Sequence, residues 1–104
     1  MSNEKKLMKT VPERIGGAKV LWYSPIDQRH QPTGNTKHLV AGRKVENVAG
    51  LAICQYESEA GFYLFGCDRE WNSLTDTVHD SIEEAQDQAE FEYENIHQTW
   101  VKKD

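Results

Sequence analysis

Four reactive side chains crowd one stretch of this 104-residue chain: Asp76, Thr77, His79 and Asp80. A histidine beside carboxylates is the raw material of acid–base catalysis or of a metal site. The spacing works against both. Residues 73–79 (SLTDTVH) alternate as a strand does, so Thr77 and His79 share one face and Asp76 takes the other. A metal needs three or four converging ligands, and one histidine with flanking carboxylates falls short, so neither a metal nor a cofactor is expected. Cys54 and Cys67 fall in separate strands without C-x-x-C spacing, and there is no G-x-S-x-G elbow. A catalyst around His79 stands as the third of three functional readings.

The second reading uses the polar connection over residues 24–37 (SPIDQRHQPTGNTK) and the histidine that follows it. Loops of this length often carry function. Arg29, His30, Thr36, Lys37 and His38, with Thr33, Asn35 and turn amides, could surround an anion or a small molecule. Neither a phosphate-binding G-x-x-x-x-G-K-[ST] loop nor a G-x-G-x-x-G turn is present.

The first reading comes from charge. Residues 1–52 carry nine Lys/Arg and four Asp/Glu, a balance of +5; residues 53–104 carry three and thirteen, a balance of −10. No Lys or Arg occurs between Glu70 and Val101. Such a surface serves solubility, or steers toward a basic partner and away from nucleic acid.

Most of that charge belongs to residues 80–100, which read as one long amphipathic helix. Ser81 followed by Glu84 has capping-box spacing, with Asp80 as an alternative cap. At roughly 100° per residue, Ile82, Ala85, Ala89, Tyr93, Ile96 and Trp100 form one stripe to lie on a sheet. Phe91 falls about 180° from Ile82 and should point away from that sheet. Ringed by Asp87, Glu90 and Glu94, it is the expected anchor for a protein partner. Trp71, in the polar run DREWN, joins it as a second aromatic candidate, since surface Trp and Tyr are favoured anchors.

The elements that must hold these residues are short strands. Residues 18–24 (AKVLWYS) stop at Pro25, with Val20 and Trp22 assigned to one face and Leu21 and Tyr23 to the other. Residues 49–57 and 61–67 form a hairpin across 57–61, residues 38–48 hold a short strand or irregular piece, and residues 73–79 lead into the helix. In that hairpin Cys54 should pair near Leu64 and Cys67 near Leu51, as two reduced, buried thiols. Residues 1–17 are Lys-rich, punctuated by Pro12 and Gly16-Gly17, and read as a flexible arm. No apolar run is long enough to span a bilayer and no signal peptide is recognisable, which points to the cytoplasm.

The run from the aromatic strand onward resembles a group of small bacterial proteins of unknown function. They share Cys-Asp, a Trp, L-T-D-T-x-H and E-A-x-x-Q-A-E-F-E-[FY], here met by Cys67, Asp68, Trp71, residues 74–77, His79, Glu84, Ala85 and residues 88–93. The stretch from Pro32-Thr33-Gly34 through His38 is similar as well. This resemblance implies no activity, cofactor or catalytic residue. The ending of strand, S-x-E-E-A and helix is also similar to the small antitoxin-type fold of three strands and a helix that masks a ribonuclease, although the Pro-Asp-Leu-Pro-Gly turn of that group is missing.

Together these readings give an α+β domain over residues 18–104. An antiparallel sheet of three to four strands carries one long C-terminal helix on one face. The leading functional expectation is an interaction module whose protein partner meets the acidic helix face.

Overall fold

The computed structural model describes residues 8–35 and 47–104, with the backbone of two short strands between them. The strands are β1 (Arg14–Ile15), β2 (Ala18–Pro25), β3 (Leu39–Val40), β4 (Arg43–Lys44), β5 (Gly50–Gln55), β6 (Phe62–Cys67), β7 (Ser73–His79) and β8 (Val101–Lys102). Among the described residues there is one α-helix, α1 (Ile82–Glu92), and a 3-10 turn (Ile96–Gln98). The main sheet is antiparallel, β1–β2–β5–β6–β7, with β8 also paired to β2. It has six strands instead of three to four. The two additional strands, β1 and β8, are two residues each, too short to show a period-2 pattern. They pair with successive stretches of the outer edge of β2. β3 and β4 form a hairpin of their own.

Both faces of the sheet are covered, by different parts of the chain. On one face Leu51, Ile53 and Leu64 meet Ala85 and Ala89 of α1, with Tyr93, Ile96 and Trp100 continuing the same layer. The two alanines are fully buried, and their small side chains bring the helix close to the strands. On the other face Val20, Ala52, Cys54 and Phe65 are covered by Val11, Ile15 and Trp71. Residues 8–15 therefore lie on the sheet, with Val11 and Ile15 buried. Strand β2 serves both layers through a bulge. Val20 pairs with Cys54, and Trp22 pairs with the very next residue back, Ile53. Leu21 is the extra residue, so Val20 shares a face with Tyr23 and Trp22 turns toward the helix. Strict alternation would have put Val20 and Trp22 together.

Trp71, a candidate for a surface anchor, is 4 % exposed and folded over the sheet. Its indole N–H donates to the Lys9 carbonyl (2.7 Å), and its ring stands edge-on to Tyr23 at 6.0 Å. The loop that delivers it is built on Asp68, whose carboxylate accepts the backbone N–H groups of Glu70 and Asn72 (both 2.9 Å). Those bonds hold the Asp68 carboxyl below its ordinary range. Trp71 itself has φ of 67°, a left-handed conformation that costs a bulky residue about 1–3 kcal/mol. Burial of the ring offsets that strain. A Cβ on Gly50 would come within 2.8 Å of both the Trp71 ring and the Met8 methyl group, so Gly50 is the seat on which they rest.

The hairpin register differs by one residue from expectation. Cys54 pairs with Tyr63 and Cys67 with Gly50. Both thiols are free, fully buried and pushed up to about 12 by burial.

The helix starts where expected. Ser81 Oγ accepts the Glu84 N–H (3.0 Å), and the Glu84 carboxylate accepts the N–H of Asp80 (3.2 Å). It ends sooner, at Glu92, so it is a short helix and not the long one expected. Tyr93 is extended and Asn95 left-handed. Tyr93, Ile96 and Trp100 still reach the core, but through a bend and a 3-10 turn.

Two outcomes follow. Gly50→Ala should lower unfolding free energy by about 1–3 kcal/mol in urea titration, because the added methyl displaces a rigid buried ring. Neither cysteine should react with a thiol reagent at neutral pH in the native protein, and both should react after unfolding.

Candidate functional site

Glu84, Asp87, Gln88 and Phe91 occur at i, i+3, i+4 and i+7, so α1 presents them as one ridge. β7 brings His79 alongside. Together these five residues line a shallow depression of about 340 Å³ between the flank of the helix and β7. Phe91 is 52 % exposed in it, as expected from its place on the helical wheel. Its surroundings differ from the ring of Asp87, Glu90 and Glu94. Asp87 lines the depression, whereas Glu90 pairs with His97 and Glu94 stands beyond the end of the helix, its N–H on the Gln31 carbonyl (3.0 Å). Glu84 and His79 take the other places. The i+7 spacing back from Phe91 marks Glu84 in the sequence. Nothing local marks His79, which arrives through the register of β7 against β6.

The polar groups of the depression are held from behind. Gln88 donates its amide to the buried Glu92 carboxylate (2.7 Å). His79 Nε2 lies 2.7 Å from the Thr77 hydroxyl. A larger open depression of about 520 Å³ near the start of β2 is lined by Glu13, Arg14, Lys19 and Glu57 among others, and its mixed charges select no one ligand sign.

The 24–35 connection does different work from an anion site. Asp27 takes the Arg29 guanidinium in a two-pronged pair, Nε at 3.0 Å and Nη2 at 2.8 Å, and accepts the Arg29 N–H as well. These bonds hold the Asp27 carboxyl down to about 2. The guanidinium is thus already occupied by a carboxylate of its own loop. His30 is 1 % exposed. Its Nδ1 accepts the Asp27 backbone N–H (3.0 Å), so the proton sits on Nε2 and is donated to Thr99 Oγ1 (3.0 Å). Thr99 passes the chain to Ser24, whose hydroxyl lies 2.7 Å away and donates to the Pro25 carbonyl (2.9 Å). Thr36, Lys37 and His38 lie outside the described residues.

The next part of this loop caps the helix. Thr33 Oγ1 (2.6 Å) and Asn35 Nδ2 (3.0 Å) both donate to the Phe91 carbonyl, and the Thr33 N–H donates to the Glu92 carbonyl (2.9 Å). Asn95 Nδ2 donates to the Arg29 carbonyl (3.1 Å), while Pro32 and Tyr93 form a β-bridge. Carbonyls that a helix end normally leaves open are closed by this loop.

Among the described residues no three His, Cys, Asp or Glu side chains converge as a metal site requires, and no helix is long and apolar enough to cross a membrane. Compared with protein-family models, with characterised proteins and with solved structures, the chain matches none.

Burial lowers the pKa of His30 against the opposing pull of Asp27. An unfolded histidine takes up its proton near its ordinary value of 6.5, and the folded one only at lower pH. The neutral ring therefore contributes fully above that value, and its contribution erodes as pH falls through it. Asp27 acts in a lower window: its contribution is complete above 3.8 and is lost as pH falls toward about 2. Thermal unfolding followed from about pH 7.5 to about pH 5 should show the midpoint falling with acid, and His30→Gln should fall less steeply over that range.

Proposed function

We propose that this protein is an interaction module that binds another protein through the Phe91 depression on the acidic flank of α1. The observation that supports this most is Phe91 itself. An aromatic ring 52 % exposed, beside Glu84 and Asp87, sits in the last turn of a helix whose end is fixed by the Thr33 and Asn35 bonds. Folding leaves that apolar surface uncovered, and a partner that covers it gains both the ring and the field of the carboxylates. Rigid aromatic anchors held in place before binding lose little conformational entropy on contact, which suits this position to carry affinity.

Trp71 has no part in this surface, being closed under residues 8–15 and Tyr23. The ligand-binding alternative for residues 25–38 finds Arg29 paired and His30 buried, so the described part of that loop supports the helix end instead.

The test compares wild type with Phe91→Ala and with Asp87→Lys. Each variant should unfold within about 1 kcal/mol of wild type, because both side chains are surface groups. Each should bind a wild-type partner at least about tenfold more weakly by calorimetry, as loss of an anchoring aromatic does. Unchanged affinity in both folded variants would remove the depression from the interface.

A further inference from the structure

The depression borders the one long strand that ends the sheet. Among the described residues β7 pairs with β6 alone, while the far edge of the sheet, on β2, is taken by β1 and β8. Sheet edges in water are commonly blunted by Lys, by Pro or by a bulge. β7 has neither Lys nor Pro. Its irregularity sits at its beginning, where Cys67 pairs with Ser73 and Gly66 with Thr75, so the rest pairs regularly with β6 up to Phe62 opposite His79. Apolar surface lies on both sides of this edge. Phe91 stands in the depression with His79 on the helix side, and Val78, 60 % exposed, projects on the other. Among the described residues the charges placed at this edge are acidic: Glu84 and Asp87 line the depression, and Asp76 is exposed in the strand.

We infer that the partner is an extended basic segment of another protein that joins the sheet as a strand beside β7. This rests on the proposal above and names the chemistry of its partner. Main-chain hydrogen bonds to β7 hold the segment, and its alternate side chains divide between the two sides. Those on the helix side combine Lys or Arg against Glu84 and Asp87 with an apolar group on the Phe91 ring. Those on the other side are apolar and cover Val78. Acidic or nucleic-acid partners are repelled by the same carboxylates.

A random peptide display library panned on the full chain, with Phe91→Ala as counter-selection, provides the probe. Enriched peptides should carry Lys or Arg at alternate positions. The tightest of them is then resynthesised with N-methyl groups on one or the other alternate set of its amides. An added strand points one set at β7 and the other at solvent. One methylated set should weaken binding at least about tenfold, and the other should leave it within about twofold. Amide exchange in residues 75–79 should slow on binding.

If selected peptides need Phe91 but tolerate both methylated sets equally, strand addition is overturned and the interaction surface stands. If no peptide depends on Phe91, both fall. Enrichment of acidic peptides overturns the assigned charge. A second copy of the chain at this edge would also overturn the inference, and sedimentation would show it as a dimer that Val78→Lys returns to monomer.

Discussion

The grip of the 29–35 loop on the end of α1 is the constraint on which the rest of this structure turns. Thr33 and Asn35 satisfy the Phe91 carbonyl, Thr33 satisfies that of Glu92, and Glu94 and Asn95 bond back to the loop through Gln31 and Arg29. The loop is tied at several points: the Asp27–Arg29 pair closes its first turn, and the buried His30 links it through Thr99 to Ser24 of the sheet beneath. Polar groups this deep need every partner, since an unpaired one costs about 1–3 kcal/mol. Residues that look ready for ligand chemistry are thereby committed to the scaffold.

Because the helix stops at Glu92, Phe91 is caught in its last turn with its side chain facing out over the flank of β7. The chain after it bends away, so Tyr93, Ile96 and Trp100 fill the core under the helix end and leave the flank open. On the far side of the sheet, the Asp68 turn sets Trp71 on Gly50 and closes residues 8–15 over the second core. Cys67, Asp68 and Trp71 thus act in folding: Cys67 lies in the buried layer, Asp68 forms the turn and Trp71 covers the sheet. On the helix, Glu84, Gln88 and Phe91 line the depression.

What the sequence revealed was local. Ser81 and Glu84 announced the helix start, strands β2, β5, β6 and β7 showed in their composition and punctuation, and the wheel put Phe91 outside. What stayed hidden depends on distant partners. The helix end could not be read because Tyr93, Ile96 and Trp100 keep helical spacing while reaching the core by another route. The bulge at Leu21 leaves no mark in a strand that is apolar on both faces. Trp71 sits in a polar run, and its burial depends on residues distant in sequence, Met8, Lys9, Tyr23 and Gly50. His79 has the side chain for catalysis or metal binding, yet strand register sets it beside Phe91. The cationic loop looked like an anion site, since nothing local shows that Arg29 already has its carboxylate or that His30 faces Thr99.

The proposed groove joins the open edge of β7 to the Phe91 depression and takes an extended basic segment. A crystal structure of the chain with its tightest selected peptide is the decisive measurement. Peptide backbone should be hydrogen-bonded along β7, with a basic side chain within reach of Glu84 or Asp87 and an apolar one against the Phe91 ring. A peptide seated as a helix, or bound away from β7 with Phe91 still facing solvent, would contradict the proposed groove.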